Sequence, residues 1–137
     1  MSSFKIFDIA GSGMSAQSVR LNTTASNLAN AESVSGDPNS VYKAKHPLFE
    51  AIRNGLGKDA STTGVAVKGI FENQAPATAR YEPGNPLADA NGYVYAPNVN
   101  SVEEMVDMIS ASRSYQNNVE VMNTAKEMML ATLRLGQ

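Results

Sequence analysis

Apolar residues recur with a period of seven at both ends of this chain. Phe7, Met14, Leu21 and Leu28 stand seven apart, with Gly11, Ser18 and Ala25 recurring between them. The alternating steps of four and three place all seven on one stripe of a helix, large layers alternating with small ones. Small layers let a second helix approach closely. Near the other end Met108, Tyr115, Met122 and Met129 repeat the interval, with Met105, Val119 and Leu133 in neighbouring layers. The pattern predicts helices over 3–31 and 101–134, the first about 40 Å long at 1.5 Å per residue.

End signals support both helices. Pro97 precedes the second, and Ser101 with Glu104 matches the S-x-x-E capping box, in which each side chain satisfies the other's free backbone N–H. Glu103, Glu104 and Asp107 lie near the positive end of that helix and Arg134 near its negative end. Gly136 reads as its stop. Gly11 and Gly13 weaken the start of the first helix by about 1 kcal/mol each relative to Ala.

Residues 33–98 have a different character. Turn residues cluster at SGDPNS (35–40), YEPGNP (81–86) and DANG (89–92). VAVKGIF (65–71) alternates like a half-buried strand, and YVY (93–95) follows Asn91-Gly92, a hairpin signal. In VYKAKHPLFEAI (41–52), Pro47 fits either an edge strand or a helix start. NGLGKDASTTG (54–64) reads as a mobile loop. The expected fold is α+β. Long N- and C-terminal helices (1–34 and 99–137) pair as an antiparallel coiled coil, with a small β-rich insert (35–98) between them.

Composition removes most function classes. With 13 acidic and 11 basic residues the net charge is −2, too little positive field for a nucleic-acid partner. There is no Cys and one His, His46, so neither a disulfide framework nor a zinc site is expected. Gly11-Ser12-Gly13 lacks the strand and the Lys of a phosphate loop. Asp89-Ala90-Asn91-Gly92 begins like a calcium loop but continues with Tyr93 and Val94, so a tight turn is the better reading. Glu103 and Glu104 are helix neighbours that point in different directions, and Ser112 and Ser114 have no partnered base. No catalytic residue, cofactor, metal or small-molecule substrate is expected, and the chain does not read as an enzyme. No apolar run reaches the roughly 18 residues of a membrane span, and MSSFKIFDIAGSGMSAQ is not a Sec-type signal.

A two-helix hairpin offers one seam, so it cannot bury its stripes on all sides. The chain has no Trp and seven Met, five of them between 105 and 129, which is an adaptable surface for neighbours. Asn27, Asn30, Gln116, Asn117, Asn118 and Asn123 add uncharged amides suited to contacts between subunits. The hairpin is therefore expected to be marginal alone and to order against other chains.

SNLANAES (26–33) resembles the Asn-Leu-Ala-Asn signature of the bacterial flagellar axial proteins, which include rod, hook and hook-associated subunits. The stretch 79–137, with its Pro-Gly-Asn-Pro and Pro-Asn-Val-Asn-x-Val-Glu-Glu-Met elements, and IFDIAGSGMSAQSVRLN (6–22) are similar to the proximal rod branch of that family. The signature falls on Asn27, Leu28, Ala29 and Asn30, and the C-terminal one on Val102 to Met105. The Gly-Tyr pair that commonly follows in longer members is absent, and Val41-Tyr42-Lys43 stands in its place. The resemblance implies a structural subunit exported through the flagellar type III apparatus without signal cleavage. It implies assembly with copies of itself, other rod proteins and the rod/MS-ring adaptor into a periplasmic tube that transmits torque around the export channel. The expected subunit interface comprises Phe7, Met14, Leu21, Ala25, Asn27, Leu28, Asn30, Met105, Met108, Tyr115, Val119, Met122, Met129 and Leu133. Another proximal rod subunit shares these features. A coiled-coil export adaptor would share the heptads and low charge, but the β insert and the placement of stripes at both extreme ends disfavour it.

Overall fold

A computed structural model describes residues 3–53 and 63–136. Helix α1 runs Ser3–Asn30 and helix α2 Ser101–Leu135, with four strands between them: β1 (Lys45–Arg53), β2 (Thr63–Glu72), β3 (Thr78–Tyr81) and β4 (Tyr93–Ala96). The architecture is the expected α+β arrangement of terminal helices flanking a small β insert. β1 and β2 form one antiparallel ribbon with an irregularity between Leu48 and Phe49, and β3 and β4 form another. Pro47 is tolerated inside β1 because a two-stranded ribbon consists only of edges. Apart from its last two residues, which open β2, the loop expected at 54–64 lies outside the described residues.

The capping box expected at the start of α2 does not form. Asn100 is the N-cap, and its side chain accepts the Val102 N–H at 3.1 Å. With that N–H satisfied by a residue already in extended conformation, Glu104 is free to turn into the space between the helices. Helix α1 ends without a glycine. Ala31 and Ser33 donate back to the carbonyls of Leu28 and Asn30, and the Asn30 amide donates to Ser26 O.

The Asn91-Gly92 turn opens β4 but does not make a two-residue hairpin, because residues 82–92 separate the paired strands. Gly92 sits at φ 80°, the left-handed region open to glycine. The Asp89 carboxylate accepts the N–H groups of Asn91 and Tyr93, both at 2.8 Å, which closes the tight turn. The Tyr93 N–H chiefly holds the Asp89 carboxyl below its ordinary range, while burial, then the Asp89 charge, raises the Tyr95 phenol.

Asn98 ties the insert to itself. Its Oδ1 accepts Ala44 N–H at 2.9 Å, and its Nδ2 donates to the carbonyls of Asn73 and Ala75. The core is thin. Among the described residues its buried apolar members are Ala10, Ala16, Val41, Ala44, Val94, Ala111 and Ala125, and the largest fully buried side chains are Val94 and Asn27.

Candidate functional site

Two cross-links and one close approach set how the helices face each other. The Asn27 amide donates to Glu104 Oε1 at 2.9 Å, Arg20 pairs with Asp107 at 2.7 Å, and a Cβ on Gly13 would meet the Asn118 amide at 3.0 Å. Moving back along α1 means moving forward along α2, so the pairing is antiparallel. The α1 residues on this seam are Ala10, Gly13, Arg20 and Asn27 with buried Thr23 and Thr24. They follow the expected steps of three and four but begin one residue earlier. One residue is about 100° of helix rotation, which turns the expected large stripe away from the seam centre.

The polar centre of the seam is Asn27. Its Nδ2 donates to Lys45 O and Glu104 Oε1, and its Oδ1 accepts from Tyr42 O–H and Lys45 N–H, all between 2.8 and 2.9 Å. The amide's two donors and two lone pairs are all used. Ser26 Oγ and Tyr42 Oη lie 3.0 Å apart, so Val41-Tyr42-Lys43 supplies the ring that latches the exit of α1. Asn27 thus joins α1, α2 and β1 in one knot, and Glu104 is buried against it. Sequence reasoning placed Asn27 among residues facing other subunits, whereas the structure commits its side chain to its own chain. It gave Glu104 to a capping box and not to Asn27, and it assigned no role to Asn98 and Asn100. The spacing of Pro97-Asn98-Val99-Asn100 marked them, yet only the fold shows what each amide reaches.

The other expected interface residues divide by exposure. Phe7, Met14, Leu21, Leu28 and Asn30 on α1 are partly buried, and Ala25 is exposed. On α2, Met108, Tyr115, Val119, Met122 and Met129 are partly buried, while Met105 and Leu133 are exposed. Much apolar surface therefore remains uncovered. The chain exposes 9260 Å², whereas a compact protein of 14.6 kDa exposes about 6,900 Å². Among the described residues no three acidic, His or Cys side chains converge as metal ligands would. No described helix is long and apolar enough to cross a membrane.

Comparison with known proteins matches both helices. The family model described as "Flagella basal body rod protein" covers residues 7–36, and "Flagellar basal body rod FlgEFG protein C-terminal" covers residues 90–135. The flagellar basal-body rod protein FlgC of Salmonella typhimurium is 57% identical over 137 residues, covering all of both chains. The chain belongs to the flagellar basal-body rod protein family. FlgC of Escherichia coli O6:H1 is 58% identical over the full length of both chains, and that of Aquifex aeolicus 44% over 96% of each. The role of the chain is structural, as a proximal rod subunit of the basal body. For a rod protein, a seam of small and polar groups with larger apolar side chains turned outward makes physical sense, because stiffness and contact are the work to be done.

Proposed function

We propose that the terminal helices are the assembling part of this rod subunit. They pack with copies of the chain, with other rod proteins and with the rod/MS-ring adaptor into a helical tube around the export channel. The β insert stands outside and the helical layer transmits torque. The observation that supports this reading is the inversion seen in the helix pair: Ala, Gly, Thr and Asn line its inside, while Leu, Val, Ile and Met of α2 remain exposed. A contact between unlike faces whose rotation does not close a ring extends into an open helical array.

The same inversion suits export. Burying alanines contributes little against roughly 1–2 kcal/mol of backbone entropy per ordered residue. Helices that order only on incorporation leave the subunit threadable through the type III apparatus, with no cleaved signal, and delay polymerisation until the periplasmic site is reached. Leu28→Asp puts a charge on the partly buried large stripe of α1, and cells carrying it are expected to make the protein and not swim. Normal swimming would overturn the interface assignment. Finite one-to-one complexes with a single client, in place of pelletable polymers, would favour an adaptor.

A further inference from the structure

The turn that opens β4 contains a reactive pair. Asn91 is exposed and is followed by Gly92, whose backbone nitrogen has no side chain of its own residue to shield it. In such a pair that nitrogen can attack the Asn amide carbon and close a five-membered ring. The fold cannot dispense with the glycine. Gly92 lies at φ 80°, and a Cβ there would meet the Tyr81 ring at 3.0 Å and Pro83 at 3.1 Å.

The turn instead holds the nitrogen still. Gly92 N–H donates to Asp89 O at 3.0 Å, and Gly92 O accepts Glu82 N–H at 2.9 Å. On either side the Asp89 carboxylate accepts the N–H groups of Asn91 and Tyr93. Ring closure requires the Asn91-Gly92 peptide to swing toward the side chain and its nitrogen to lose a proton. The swing breaks both Gly92 hydrogen bonds against the crowding of Tyr81 and Pro83, and the nearby carboxylate disfavours a nitrogen anion.

We propose that Asn91-Gly92 is a site of spontaneous succinimide modification, shut by the folded turn and open whenever the insert is unfolded. The Gly92 nitrogen gives its proton to solvent base and bonds to Asn91 Cγ, while the Cγ–Nδ2 bond breaks and ammonia leaves. One water then opens the ring. Opening at Cγ leaves an ordinary aspartyl link. Opening at the Asn91 backbone carbonyl leaves an isoaspartyl link, in which the main chain runs through Cβ and Cγ. That link adds a methylene before Gly92 and a free carboxylate near Asp89, so the N–H groups of Gly92 and Tyr93 no longer reach Asp89 together. A chain converted before folding therefore carries a damaged start to β4.

The full chain is incubated at mildly alkaline pH, native and in guanidinium chloride, and residue 91 is followed in the tryptic peptide Tyr81–Arg113. Mass and fragmentation report replacement of NH2 by OH there. An isoaspartyl methyltransferase with labelled S-adenosylmethionine reports the isoaspartyl product. Conversion is expected to run at least ~tenfold faster in denaturant than in the native chain. A smaller ratio would mean that the turn does not shut the site, and no conversion even in denaturant would remove the site altogether. Native Asp89→Ala loses two hydrogen bonds of the turn and is expected to convert at least ~threefold faster than the native unsubstituted chain. A smaller rise would take the Asp89 carboxylate out of the lock. The comparison in denaturant needs no variant, so it decides the proposal even where Asp89→Ala fails to fold.

Discussion

One amide carries more of this fold than any aliphatic side chain. Asn27 is fully buried and bonded at every polar atom, and among the described residues no cation lies within ion-pairing distance of its neighbour Glu104. Asn27→Asp would set two carboxylates against each other in a buried site and remove a donor. The expected cost is about 3 kcal/mol or more, read as lost motility and lower denaturation midpoint. Adding Glu104→Gln returns an N–H donor and is expected to recover much of the loss. Failure of that exchange, with Glu104→Gln alone tolerated, would mean the pair does not act as a unit. A second carboxylate predicts a pH effect. Asp89 is held below its ordinary range chiefly by the Tyr93 N–H, so its contribution is complete above the unfolded value of about 3.9 and is lost as pH falls through the lower folded value. Exchange of the Tyr93 amide is expected to quicken only in that acid window, and to be fast and insensitive there in Asp89→Ala.

At the scale of elements, the helix pair depends on closeness. Gly13 lets α1 approach Asn118, the far end of a flexible side chain. Gly13→Ala is expected to be near neutral, since the gain of about 1 kcal/mol in helix propensity offsets a tight contact. Gly13→Leu forces the seam apart at about 1–3 kcal/mol, measured as lower helicity and faster amide exchange along both helices. Asn100→Ala removes the true cap of α2 and is expected to cost about 1 kcal/mol, whereas Ser101→Ala costs little. A larger loss at Ser101 would restore the capping box to consideration. Helix existence and length were legible from the heptads. The identity of the cap was not, because Asn100 and Ser101 are both strong capping types and only backbone geometry chooses between them.

For the whole molecule, the excess exposed surface and the thin core of alanines and two valines predict that a dilute monomer has low helicity and fast-exchanging amides over 3–31 and 101–134. Incorporation is then expected to protect both ranges together. Strong protection in dilute solution would contradict the coupling of folding to assembly. The β3–β4 ribbon depends less on the helices, since Asn98, Asp89 and the Ser35–Tyr95 bridge close it locally. It is therefore expected to keep its near-ultraviolet tyrosine signal when the helices are loose.

Periodicity by itself determined that both ends are helices, and turn chemistry that the middle is β-rich, because those patterns are local and repeat. It also showed which large side chains lie together on a stripe. Which stripe would face the partner helix was decided only in the tertiary structure. Rotating α1 by one residue brings Gly13 against Asn118 and Asn27 onto Glu104, and close approach with satisfied buried amides outweighs covering a few more methyl groups.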